Sequence, residues 1–100
     1  MKLGKLEVDP EKLTAICRRW NVAKIEAFGS VLRDDFGPNS DVDLLVSFNS
    51  GTKPSFAEIM ALQDALEALL GRKVDLAQPQ QLKWVIRERV LAEAQVVYAL

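Results

Sequence analysis

The chain has no histidine among its 100 residues. That absence removes Ser-His-Asp triads, histidine zinc sites and imidazole acid–base chemistry together. It has a single cysteine, Cys17, so an intrachain disulfide is excluded and the reducing cytoplasm is the expected compartment. No apolar run approaches the roughly 20 residues that cross a bilayer, so no membrane association is expected. The opening MKLGKLEVDP lacks the continuous apolar stretch of a secretory signal. A basic excess is missing too: 13 Lys and Arg stand against 14 Asp and Glu, a net charge of −1. Dedicated nucleic-acid binders carry such an excess to neutralise phosphates. Direct nucleic-acid binding is therefore not expected, although local basic patches exist at Arg18 with Arg19 and at Lys83 with Arg87 and Arg89. Any catalysis must rest on carboxylates, hydroxyls, Lys, Arg, Tyr or a metal held by oxygen.

What is present is an ordinary globular mixture, 49% apolar and 27% charged. One hundred residues make one domain, expected to span residues 1–100, with little room for a second lobe. A large acceptor surface would then have to come from another chain. Asp9, Pro10 and Glu11 form a helix start, and Leu13, Ile16, Cys17 and Trp20 fall on one helical face. Asn21 is a plausible stop. Val22 to Phe28 reads as a strand, Val31 to Asp35 as a helical turn, and Phe36 to Ser40 as a loop. Asp41 to Phe48 is the best strand in the chain. Ser55 and Glu58 have capping-box spacing ahead of a helix to Leu70, whose stripe is Ile59, Leu62, Leu66, Leu69 and Leu70, with Gly71 ending it. Lys73 to Ala77 is a third strand. A last helix is expected over Pro79 to Gln95, with Leu82, Val85, Ile86, Val90 and Leu91 facing inward, and Val96 to Tyr98 reads as a short edge strand. This order suits a mixed sheet covered mainly on one face by helices.

The chemistry is concentrated in FGSVLRDDFGPNSDVDLLVSF, residues 28–48: Gly29-Ser30, ten residues, then Asp41-x-Asp43. Strand side chains alternate faces, so Asp41 and Asp43 project together, about 7 Å apart along the strand. Two such carboxylates suit hard cations, which prefer oxygen ligands. Without a cation they make a poor acid–base pair, because nothing nearby offsets their repulsion. Val42, Leu44, Val46 and Phe48 take the opposite face and read as core. Gly29 permits a sharp turn and close backbone approach to a ligand. Ser30 adds a small hydroxyl, and a helical turn after it would aim free N–H groups at phosphate oxygens. Arg33 can contact a phosphate or pair with Asp34 or Asp35 in solvent. Asp75 lies within KVDLA, flanked by Val74 and Leu76, where a lone carboxylate is costly unless its charge is used. If that strand lies beside Asp41 to Phe48, the three carboxylates can hold two Mg²⁺ for in-line nucleotidyl displacement. At average composition the Gly-Ser-x10-Asp-x-Asp spacing arises by chance in roughly one chain of this length per thousand.

The segment resembles the signature of the DNA-polymerase-β-type nucleotidyltransferases, specifically the minimal nucleotidyltransferase (MNT) branch. The resemblance runs over nearly the whole chain, through AFGSVLRDDFGPNSDVDLLVSF, GRKVDLA and the closing IRERVLAEAQVVYAL. It implies an α+β, palm-like fold: a mixed sheet of three to four strands, helices mainly on one face, in the order α-β-β-α-β-α. It implies ATP as substrate and two Mg²⁺ ions, with Mn²⁺ as the expected substitute. Gly29 and Ser30 would grip the triphosphate, with Arg33 and Ser40 as further nucleotide-binding candidates. Asp41 and Asp43 would bind both metals, and Asp75 would complete the metal that activates the attacking hydroxyl. One departure is Asp34, where the family often has Gly after the arginine matching Arg33. Members of this branch often act as antitoxins paired with HEPN-type ribonuclease toxins. The resemblance therefore implies AMP transfer from ATP to a hydroxyl, expected to be a tyrosine, on such a partner. A hetero-oligomer follows, and a homodimer stays open.

Two other functional classes stand beside this one. One is an antitoxin that neutralises its partner by contact, with a vestigial or regulatory nucleotide site. The other is a transferase for a small, aminoglycoside-type acceptor. The intact Asp trio argues against the first and the small size against the second. Trp20 and Trp84 read as core or interface, Cys17 as a buried small hydrophobe, and Asp34, Asp35, Asp64 and Glu67 as solvated. VVYAL either pairs across an interface or completes the core edge.

Overall fold

A computed structural model describes residues 1–100. A short hairpin that the periodicity does not announce opens the chain: β1 (Lys2–Leu3) pairs antiparallel with β2 (Leu6–Glu7). Each strand is two residues long, too short for alternation to register. Leu3 and Val8 nonetheless reach the core.

Helix α1 (Pro10–Arg19) starts where its cap predicts. Asp9 accepts from the Glu11 and Lys12 amides at 3.0 and 3.3 Å, and Pro10 occupies the first turn. The chain leaves it through Asn21, which adopts a left-handed φ of 57°. It then runs as β3 (Val22–Phe28) into a 3-10 turn over Gly29–Leu32. That turn begins at the glycine and ends before Arg33, three residues short of the expected Asp35. Strand β4 (Val42–Phe48) returns antiparallel to β3.

Helix α2 (Phe56–Leu70) carries the capping box in full: the Ser55 side chain accepts from the Glu58 amide at 3.1 Å and Glu58 accepts from the Ser55 amide at 3.0 Å. Gly71 ends it at φ 67°. Strand β5 (Val74–Ala77) then lies parallel to β4, with α2 as the crossover. Strand β6 (Gln95–Ala99) closes the sheet antiparallel to β3, giving the order β5-β4-β3-β6. The edge strand read at Val96 to Tyr98 is thus real and slightly longer. Ile25, Ala27, Val42, Leu44, Val46 and Val74 meet Leu13, Cys17, Leu62 and Leu66 in one core cluster, which puts α1 and α2 over a single sheet face.

The last helix departs from expectation. Pro79–Gln81 forms a separate 3-10 turn, fastened where the Gln78 amide donates to Gln81 Oε1 at 2.9 Å. Leu82 and Lys83 are extended, so α3 covers only Trp84–Glu93, and Ala94 turns the chain into β6. Its apolar residues do not face inward as the pattern suggests. No residue of α3 is buried; Trp84 is 85% exposed and Val85 63%, with Ile86 and Leu91 exposed as well. The sheet face over α1 and α2 is already filled, which leaves α3 outside the core. No helix is long and apolar enough to cross a membrane.

Candidate active site

The site grows out of strand register. Parallel pairing of β4 and β5 sets Asp43 directly opposite Asp75. Antiparallel pairing of β3 and β4 sets Phe28 opposite Asp43. Paired residues share a face, and it is the face opposite Val42 and Leu44, which pack in the core. Asp41 lies one residue before β4, is exposed, and is near enough for its charge to act on Asp43.

Electrostatics link the three. The Asp43 carboxyl titrates above the ordinary carboxylate value because it is partly buried and because Asp75 and then Asp41 add like charge. Arg33 pulls in the other direction. As they stand, no three acidic side chains are close enough together to hold a metal ion. Like charge spreads carboxylates apart, and a hard divalent cation with oxygen ligands draws them together. An all-oxygen donor set on adjacent strands, with Asp43 destabilised as an anion, fits such a cation.

Gly29 turns the chain over this carboxylate. Its φ is 75°, and a Cβ built there would stand 2.4 Å from Asp43 Oδ2. Only a residue without a side chain allows that approach. Ser30 follows in the 3-10 turn, half-buried, its carbonyl accepting from the Arg33 amide at 2.9 Å. Arg33 is exposed and pairs with Asp35 at 3.7 Å, one of the alternatives its sequence context offers. With Gly29, Leu32 and Glu93 it lines a pocket of about 290 Å³.

Ser40 sits on the approach to Asp41. Its hydroxyl accepts from the Gly37 amide at 3.0 Å and its own amide donates to the Gly37 carbonyl at 3.1 Å, closing the loop before β4. Asp34 is exposed, and its carbonyl accepts from Lys5 at 3.3 Å.

Three residues near the site were not singled out from sequence. Glu93, from α3, reaches the Gly29 pocket. Glu26, 9% exposed and paired with Lys24 at 3.5 Å, shares the face of Asp43 two positions along β3. Its isolation among apolar neighbours in KIEAF was the available signal. Arg72 lines a polar pocket of about 260 Å³ with Ser40, Asp41 and Lys73, and nothing in its sequence context distinguishes it from a solvated arginine.

Comparison with known proteins agrees with this geometry. Residues 10–97 match the family model described as a nucleotidyltransferase domain. A protein adenylyltransferase, MntA of Thermococcus cleftensis, is 44% identical over 80 residues, covering 80% of this chain and 77% of its own length. A solved structure of a candidate minimal nucleotidyltransferase superposes with a TM-score of 0.70 at 38% identity, over 85% of each chain. The fold recurs in a Shewanella oneidensis complex of a tri-AMPylated HEPN toxin with an MNT antitoxin. There the TM-score is 0.62 and the identity 20%, over 90% of this chain and 69% of that one. With its Asp43–Asp75 register, its glycine turn and these matches, the chain belongs to the nucleotidyltransferase domain family, in its minimal branch.

Proposed function

We propose that the chain transfers AMP from ATP to a tyrosine hydroxyl on a HEPN-type partner protein and thereby silences a toxin. The observation that carries the proposal is the Gly29 turn held against Asp43, itself in register with Asp75. It supplies a bare backbone for a phosphate beside the Asp43 and Asp75 carboxylates, with Asp41 one residue ahead of β4. Asp41, Asp43 and Asp75 are the residues that would hold two Mg²⁺ ions. When bound, the cations neutralise charge on the phosphates and lower the pKa of the acceptor hydroxyl.

The chain's own residues do the rest. Gly29 and Ser30 seat the triphosphate at the turn. Arg33, which lines the same pocket as Gly29, offers a charge-assisted contact to a phosphate oxygen when it leaves Asp35. Ser40 acts on the nucleotide side through the loop it closes ahead of Asp41. The acceptor oxygen forms a bond to the α-phosphorus, the bond from that phosphorus to the α–β bridging oxygen breaks, the hydroxyl proton passes to solvent, and pyrophosphate leaves.

Two observations support a protein acceptor. The relatives are named protein adenylyltransferases, and the S. oneidensis complex holds an AMPylated HEPN toxin. In this chain α3 exposes Trp84, Val85, Ile86 and Leu91, and its last residue, Glu93, borders the Gly29 pocket. Exposed apolar clusters of this kind mark protein contacts, and a ten-residue helix is marginal in water without packing.

The test is to mix the purified chain with a purified HEPN-type partner and ATP labelled at the α-phosphate. Label should move to a partner tyrosine with Mg²⁺ and not with excess chelator. A partner that is neutralised but never labelled identifies a contact antitoxin and contradicts the proposal.

A further inference from the structure

We infer that Arg72 is a positioning residue that fixes the direction of Asp41. The inference rests on the reading of Asp41 as a metal ligand. Asp41 is exposed and precedes its strand, so neither core packing nor a strand position holds it. Its two flanking peptide groups are held instead, both by the segment between α2 and β5. On one side, Arg72 Nη2 donates to the Ser40 carbonyl at 3.2 Å, and that carbonyl belongs to the peptide joining Ser40 to Asp41. On the other, the Val42 amide, in the peptide joining Asp41 to Val42, donates to the Lys73 carbonyl at 2.9 Å. With both peptide planes set, the Cα–Cβ direction of Asp41 is set.

Arg72 is suited to this because its own position is over-determined. The same Nη2 donates to the Gly37 carbonyl, and the guanidinium lies 4.3 Å from the centroid of the Phe36 ring. Phe36 is 7% exposed and belongs to the core. The guanidinium thus ties the loop of residues 36–40 to the core at one end and to Asp41 at the other. A planar guanidinium can lie flat on an aromatic ring and still direct the N–H bonds of one terminal nitrogen to two carbonyls, a geometry that the tetrahedral ammonium of a lysine does not reproduce. Asp75 lies three residues beyond Arg72 in the same segment. One stretch of chain therefore delivers the third carboxylate and aims the first.

The experiment compares the wild type with Arg72→Lys and Arg72→Gln. Mn²⁺ affinity is measured on each protein without nucleotide, by the electron paramagnetic resonance signal of free Mn²⁺. The Mg²⁺ concentration for half-maximal AMP transfer is measured separately, and urea unfolding reports the fold. Both variants should remain folded, bind Mn²⁺ about ten-fold more weakly and need correspondingly more Mg²⁺, with the maximal rate recovering as Mg²⁺ rises. Arg72→Lys should be no better than Arg72→Gln at restoring affinity, because the flat guanidinium with its directed Nη2 donors, and not the charge, holds the two carbonyls. Folded variants with wild-type Mn²⁺ affinity overturn the inference alone. Variants that do not fold make Arg72 a general structural support and overturn it as well. A wild type that binds neither Mn²⁺ nor Mg²⁺-ATP overturns the metal-site reading together with this inference.

Discussion

Gly29 and Asp43 are in such close approach that a methyl group on the glycine would stand 2.4 Å from the Asp43 carboxylate oxygen Oδ2. Gly29→Ala must therefore displace that carboxylate and also accept a left-handed φ of 75°. The conformational cost alone is roughly 1–2 kcal/mol. We expect the unfolding free energy, from urea titration followed by circular dichroism, to fall by that amount, together with loss of ATP binding by calorimetry. Unchanged ATP affinity would place the nucleotide away from this turn.

Much of that relationship is legible in the sequence, and it is instructive where legibility stops. Asp9, Ser55, Glu58 and Gly71 act locally, within one helical turn of themselves, so their spacing suffices. Asp41 and Asp43 share a face by strand alternation alone. Placing Asp75 opposite Asp43 needed one further fact, that β4 and β5 are neighbours, which in the sequence is only a condition and which the register meets. Alternation fails at Leu45. It lies on the Asp43 face and is still buried, 1% exposed, between Glu26 and Ala77 in register. The apolar run after Gln78 reads as one long inward-facing helix because hydrophobicity does not say which surface is free. Arg72 is invisible because its partners are backbone carbonyls of Gly37 and Ser40, more than 30 residues away.

Asp43 is burdened by burial and by two like charges. Removing its charge should relieve the fold. In excess chelator, Asp43→Asn is expected to raise the urea midpoint or leave it unchanged. Mg²⁺ or Mn²⁺ should raise the melting temperature of the wild type and have little effect on the variant, since a ligand bound only to the folded state stabilises it by mass action. A marked loss of stability in Asp43→Asn would make the carboxylate structural.

Cys17 offers an independent check on the core. It is fully buried, and burial pushes its thiol up to about 12 from an ordinary 9.0. The folded state thus favours the neutral thiol. The resulting stability is complete below about pH 9 and is lost as pH rises from there toward 12. Cys17→Ala should flatten that alkaline decline in a series of urea midpoints. The native wild type should resist thiol reagents at pH 8 and react at once in urea. Rapid reaction without denaturant would contradict the packing of α1.

The central claim is catalysis at the Asp43–Asp75 pair, and Asp75→Asn tests it most directly. The substitution is nearly isosteric, at an exposed position, so folding and partner contact should survive. The nucleotide is held mainly at Gly29 and Ser30 in this account, so calorimetry should find ATP binding largely intact. Transfer should fall by several powers of ten, because an interaction made in the transition state is lost. The measurement is the intact mass of a HEPN-type partner co-expressed with each variant. AMP adducts are expected on the partner with the wild type and none with Asp75→Asn. A partner neutralised equally by both variants and never gaining mass would contradict it.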